Sequence, residues 1–146
     1  MNLLISACLL GYCCRFDGGN NGPMEELIHL KQHHHLIPIC PEQLGGLTTP
    51  RLPAERLGDR VVNSEGVDIT AQYERGAKEA LRLARMFGCK YAILKSKSPS
   101  CGVGEIYDGT FTHTVVQRSG TTAQLLQENG ITVLDETQVS QLLNNS

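Results

Sequence analysis

Three short apolar runs, each breaking into small or turn-forming residues at a cysteine, constrain this chain more than any other feature. Leu3-Leu4-Ile5 runs into Ser6-Ala7-Cys8, and Leu36-Ile37-Pro38-Ile39 runs into Cys40-Pro41-Glu42. Tyr91-Ala92-Ile93-Leu94 leads to Ser96-Lys97-Ser98-Pro99-Ser100-Cys101-Gly102-Val103-Gly104. A short run that is apolar at consecutive positions reads as a buried strand, and the Ser, Pro and Gly after it open a loop. A fourth run, Ile131 to Leu134, completes the set. Helical patterns alternate with these strands, which predicts an α/β class: a three-layer, Rossmann-like domain with a mostly parallel four-stranded sheet and helices on both faces. Ligands gather beyond the carboxyl ends of such strands, so Cys8, Cys40 and Cys101 are expected to converge despite their distance in sequence.

Between the strands the chain is punctuated clearly. Pro23 suits a first helical position and Glu25 and Glu26 suit its positive end, predicting a helix of roughly three turns that ends near His33-His34-His35. Those histidines splay around a helix end and share no face, so they are read as solvated. Residues 41–67 read as mostly irregular, with Arg60-Val61-Val62 free to pair briefly. Asp68 is placed to cap a long helix whose apolar face is Tyr73, Ala77, Ala80, Leu81, Ala84 and Phe87, closed by Gly88. Asp108-Gly109 is a turn signal, and Phe111, His113 and Val115 alternate, predicting a small hairpin over the site. Gly120-Thr121-Thr122 opens a helix with Ala123, Leu125 and Leu126 inward, and Val139, Leu142 and Leu143 form a final short one.

The 146 residues suffice for one domain, 1–146, with a core that needs no staples. A net charge of -2 with scattered Lys and Arg leaves no footprint for a phosphate backbone, which argues against nucleic acid as the partner. No apolar run approaches the roughly 20 residues of a membrane helix, and Ile5-Ser6-Ala7-Cys8 lacks the basic and apolar segments of an export signal. Six cysteines in such a chain point to a reducing compartment, the cytoplasm, where thiols act as ligands, nucleophiles or buried apolar groups. Cys89, between a helix end and a strand, reads as plainly buried. Cys13 and Cys14 are adjacent, so at most one is expected to face the site.

Three thiolates are soft ligands that leave one coordination position open, as a Lewis acid requires. Their spacing is too wide for a zinc ribbon or a ferredoxin run, so zinc, copper(I), an iron–sulfur cluster and three merely buried cysteines all stay open on the residues alone. Glu42, two positions beyond Cys40 in a loop, is a candidate general acid or base, against the plainer reading of a surface carboxylate. Ser98 and Ser100 each offer a hydroxyl, and Gly102 and Gly104 allow close backbone approach or simply make turns.

Taken together, Ser6-Ala7-Cys8-Leu9-Leu10-Gly11, Cys14-Arg15-Phe16-Asp17-Gly18, Pro38-Ile39-Cys40-Pro41-Glu42-Gln43-Leu44-Gly45-Gly46-Leu47, Pro50-Arg51 and Ser98-Pro99-Ser100-Cys101-Gly102 resemble the 2-thiouracil desulfidase family, and Ile106-Tyr107-Asp108-Gly109 and Gly120-Thr121-Thr122-Ala123 extend the match. The sequence departs from the family at Phe16, where Tyr is common, and by placing Cys13 beside Cys14. The resemblance implies a [4Fe-4S] cluster on Cys8, Cys40 and Cys101, whose unligated iron accepts the sulfur of a thiocarbonyl without net electron transfer. It implies Glu42 as the residue that activates water and Ser98 as one that holds the substrate. The implied reaction converts a thiolated pyrimidine such as 2-thiouracil to uracil and sulfide. Larger relatives carry a further C-terminal domain, so a free base or similar small molecule is the expected partner here. The competing readings are a zinc hydrolase using the same three cysteines and a non-catalytic cluster-binding module; the number of copies that assemble is open.

Overall fold

A computed structural model describes residues 1–143; the side chain of Leu143, and with it the expectation that it packs inward, lies outside the described residues. The elements in order are β1 (Asn2–Ser6), α1 (Glu25–Leu30), β2 (His35–Ile39), α2 (Pro41–Leu44), β3 (Ala54–Leu57), β4 (Arg60–Asn63), α3 (Thr70–Met86), β5 (Tyr91–Leu94), β6 (Ile106–Tyr107), β7 (Val115–Val116), α4 (Thr121–Glu128), β8 (Thr132–Asp135) and α5 (Ser140–Leu143). Strands β2, β1, β5 and β8 form one sheet in that order, every pair parallel. The four apolar runs are these four strands. Their continuous apolar character follows from burial on both faces, because successive side chains point to opposite sides of the sheet. Leu4, Ala92, Leu94 and Val133 pack with Ala80, Ala84, Ala123 and Leu126 of α3 and α4. Leu3, Ile5, Ile93 and Leu134 pack with Leu27, Leu30, Val139 and Leu142 on the opposite face. The result is the three-layer α/β arrangement expected.

The departures are local. α1 has six residues instead of three turns: after Leu30 the carbonyl of that residue accepts both the His33 and His34 amides, and the chain tightens into β2, where the His35 amide bonds the Met1 carbonyl. The N-cap of α3 is Ile69 and not the expected Asp68, which lies one residue earlier and accepts the Thr70 amide on Oδ1 at 2.9 Å; Gly88 closes the helix at φ 63°, as expected. Phe87, assigned to the buried face, is 44% exposed. It occupies the C-cap with ψ 4°, outside helical geometry, so the 3.6-residue period no longer carries it inward.

The stretch 41–67 holds more order than its glycines and prolines suggest. Pro41 is the first residue of α2, and β3 and β4 pair antiparallel from Ala54↔Asn63 to Leu57↔Arg60. α2 lies backbone to backbone on α3. A Cβ at Gly76 would overlap the Pro41 carbonyl oxygen, and one at Gly45 would overlap the Gln72 carbonyl. Only glycine permits that approach, and it determines where Glu42 stands. The expected hairpin is present as β6 and β7, but of the alternating Phe111, His113 and Val115 only Val115 is in a strand; Phe111 and His113 lie in the connecting turn with φ near 59° and 58°. Among the described residues no helix is long and apolar enough to cross a membrane.

Candidate active site

Beyond the carboxyl ends of β1, β2 and β5 lies a cavity of about 400 Å³ bordered by Cys8, Cys14, Cys40, Cys101, Glu42 and Ser98. Each of the three expected cysteines lies beyond the carboxyl end of its strand. Cys8 sits in the single 3-10 turn that continues β1, Cys40 directly follows β2 as the N-cap of α2, and Cys101 lies in the loop after β5. The parallel register aligns Ser6 with Ile39 and Ile5 with Ile93, so these three exits open at one edge of the sheet.

The fourth thiol, Cys14, is buried and borders the same cavity, whereas its neighbour Cys13 is exposed with its sulfur 3.6 Å from Asn20 Nδ2. The Cys14 carbonyl oxygen stands 3.7 Å from Cys40 Sγ, and the Cys14 thiol interacts with those of both Cys8 and Cys40. Its own ionisation is pushed far up by those two contacts, while as a donor it brings Cys8 and Cys40 down to about 7 from 9.0. Asn21 Nδ2 adds a bond to Cys8 Sγ at 3.2 Å. Burial pushes Cys101 up to about 12. All six cysteines are free thiols. Cys89 is 6% exposed within the core, as expected, and the three histidines stay near the surface. Among the described residues no three His, Cys, Asp or Glu side chains are drawn to the spacing of a single-ion site.

Glu42 is in the first turn of α2, and not in a loop. Its side chain is 16% exposed, which removes the surface-carboxylate reading. One oxygen accepts the Tyr73 hydroxyl at 2.5 Å, and the other accepts Arg51 Nη2. Arg51 is itself fastened to the carbonyls of Cys14 and Thr48 and to Thr49 Oγ1. Tyr73 is buried on α3 with its ionisation raised by desolvation, so it is a neutral donor to the carboxylate. Neither partner was read as functional from the sequence. Tyr73 was counted among the apolar face of α3, and Arg51 appeared only within the Pro50-Arg51 match. The one available signal was a polar-tipped aromatic facing inward on an otherwise small-residue helix.

Ser98 and Ser100 separate cleanly. Ser98 Oγ borders the cavity and accepts the amides of Ser100 and Cys101, both at 3.1 Å, which leaves its own proton to donate. Ser100 is 1% exposed, and its hydroxyl is spent on Thr122 Oγ1 at 2.8 Å. Gly102 serves packing: a Cβ there would lie 2.7 Å from the Ser98 carbonyl oxygen. A second cluster borders the cavity near Cys8. Lys95 Nζ bonds Ser96 Oγ at 3.1 Å and Glu136 Oε1 at 3.4 Å, and Glu136 also takes the Ser96 amide at 2.9 Å. A soft-donor set, a carboxylate held by two partners and a free hydroxyl thus share one cavity, an arrangement suited to binding a polarisable atom and delivering water beside it.

Comparison with known proteins agrees with this geometry. The family model for 2-thiouracil desulfurase matches residues 3–138. The uncharacterized protein YbbK of Bacillus subtilis is 37% identical over 151 residues, covering 97% of this chain and 99% of that protein. A solved structure of TudS, a [4Fe-4S]-dependent thiouracil desulfidase, superposes with a TM-score of 0.94 at 43% identity, covering 99% of this chain and 96% of the other.

Proposed function

The chain belongs to the 2-thiouracil desulfurase family, and on that basis we propose that it is a [4Fe-4S]-dependent thiouracil desulfidase, replacing the sulfur of 2-thiouracil with the oxygen of water. The observation that carries the reading is the meeting of Cys8, Cys40, Cys101 and Glu42 at one cavity beyond the sheet. The donors fit the cluster: all are free thiols, and two of them ionise near neutrality. Cys8, Cys40 and Cys101 are the ligands in this reading: Cys8 and Cys40 stand within two residues of the ends of β1 and β2, and Cys101, in the loop after β5, has its amide held by Ser98 Oγ. When bound, the cluster supplies a Lewis-acidic iron for the thiocarbonyl sulfur.

The remaining work falls to the chain's own side chains. Glu42, oriented by Tyr73 and Arg51, takes a proton from the water that attacks the sulfur-bearing carbon. Ser98 donates its free proton to the substrate and steadies it at the cavity wall. The carbon–sulfur bond breaks, the new carbon–oxygen bond yields uracil, and sulfide leaves with no net change in oxidation state. Residues 1–146 act as a single desulfidase domain. Its unpaired cysteines are consistent with the reducing cytoplasm as its compartment.

Anaerobic reconstitution tests this directly. The expected product is a brown protein with about four irons per chain that releases sulfide from 2-thiouracil; a colourless protein holding one zinc supports the hydrolase alternative and overturns the assignment. Glu42→Gln is expected to keep its iron and lose sulfide release, and unchanged turnover removes Glu42 from the reaction. Cys40→Ala is expected to abolish iron uptake and Cys14→Ala to retain it. The reverse pattern exchanges the two in the ligand set.

A further inference from the structure

One wall of the cavity comes from the hairpin of β6 and β7, and its construction goes beyond what closing a surface loop requires. Tyr107 and His113 both border the cavity and meet edge to face, ring centroids 5.6 Å apart at 83°. The turn that joins the two strands is knotted by a hydroxyl chain: Thr110 Oγ1 to Asp108 Oδ1 at 2.6 Å, then to Thr112 and on to Thr114. Phe111 and His113 hold φ near 59° and 58°, a left-handed conformation that costs a residue with a Cβ and clusters at functional sites. A carboxylate holds this loop down. Glu55, 8% exposed on β3, accepts the Gly109 and Phe111 amides on one oxygen at 3.0 and 3.1 Å.

A third ring faces the cavity from a different loop. Phe16 borders the same cavity yet stays 44% exposed. Its backbone is rigid: its carbonyl accepts the Arg51 amide at 2.7 Å, and Arg15 ties the flanking turn through Asp17, the Asn20 carbonyl and Asn21. An apolar ring held rigidly at a cavity without a partner is poised for a flat ligand.

We propose that Tyr107, His113 and Phe16 form the subsite that selects a flat aromatic ring, so that discrimination between thiolated heterocycles and other thiocarbonyl compounds resides in these rings and not at the thiols. The proposal rests on the desulfidase reading for its substrate, but the subsite itself is tested by binding of the product ring. Stacking on an aromatic side chain contributes enough that removing one ring weakens affinity by about tenfold or more.

The experiment measures KM for 2-thiouracil with the reconstituted enzyme, and Kd for uracil by calorimetry, in wild type, Tyr107→Leu, His113→Gly and Phe16→Leu. His113→Gly suits the left-handed backbone, and Phe16 is exposed, so neither variant depends on tolerance of a core change. The expected result is a rise of about tenfold in both KM and Kd for each variant, with kcat falling far less. Values within twofold of wild type, or a fall in kcat at unchanged KM, overturn the subsite. Sulfide release absent in wild type while uracil binds, and binds more weakly in the variants, sinks the desulfidase reading and leaves the subsite standing.

Discussion

Gly76→Ala is the change that best separates this structure from an ordinary α/β domain. In the middle of an exposed helix, glycine to alanine stabilises by about 1 kcal/mol. Here the added Cβ would overlap the Pro41 carbonyl oxygen and lie 2.8 Å from its carbon, where ordinary contact begins near 3.4 Å. Backbone has no rotamer to yield, so α2 must lift by at least 0.6 Å from that carbon, and further to clear the oxygen. Overpacking of this kind costs about 1–3 kcal/mol. Lifting α2 also strains the Tyr73 hydroxyl bond to Glu42, a bond to a charged acceptor whose loss costs about 1.5–3 kcal/mol. Against the propensity gain, the net destabilisation is about 2–4 kcal/mol, or a fall in Tm of about 10 °C for a chain of this size. Activity is expected to fall further than stability, about a hundredfold, because Glu42 and Cys40 ride on the displaced segment. Thermal unfolding of the cluster-free protein reads the first effect and sulfide release from 2-thiouracil the second. A variant that is more stable than wild type, or as active, refutes the backbone contact between α2 and α3 as the feature that sets the position of Glu42.

Two further outcomes follow from the same site. Tyr73→Phe keeps the buried ring but frees one Glu42 oxygen, and is expected to lower kcat by about tenfold with KM held, in stopped assays of sulfide; an unchanged kcat assigns Tyr73 to packing alone. In the cluster-free protein, Cys101 is raised from 9.0 to about 12 by burial, so its contribution to stability is complete below pH 9 and is lost as pH climbs toward 12. Cys101→Ala removes that dependence, so the stability gap between wild type and variant is expected to narrow between pH 9 and 11, and a constant gap in urea melts contradicts the buried thiol.

The sheet was legible because parallel strands buried on both faces leave a plain mark, a continuous apolar run that ends in loop-forming residues. Leu3-Leu4-Ile5 carries alternate residues into two different cores, Leu4 on one face and Leu3 and Ile5 on the other. β3 stayed hidden for the opposite reason. Its inward residues are Glu55 and Arg56, both charged, both under 9% exposed, and they earn their burial by holding Gly109, Phe111, Gly58 and Ser119 of other loops. A pattern rule that sends charge to the surface has no means of seeing a strand built to clamp distant amides and carbonyls. α2 escaped notice similarly, since four residues do not form a helix on propensity; it exists where Gly45 and Gly76 let it rest on α3.

The same division runs through the site. The strand ends predicted Cys8, Cys40 and Cys101, because topology alone brings the carboxyl ends of adjacent parallel strands together. Adjacency alone marks Cys13 and Cys14 as a pair of which one faces inward, and the tertiary fold makes the choice, burying Cys14 at the cavity and leaving Cys13 exposed. Arg51 and Tyr73 were invisible as partners of Glu42 because their meeting is tertiary: one comes from the loop before β3 and the other from the first turn of α3, 22 residues apart. Yet their presence changes the chemistry. A carboxylate held on one oxygen by a neutral hydroxyl and on the other by a guanidinium is oriented before substrate arrives, and orientation is what a water-activating group needs most. The strands therefore account for where the three thiols meet, and the long-range contacts around α2 account for how the Glu42 carboxylate is held beside them.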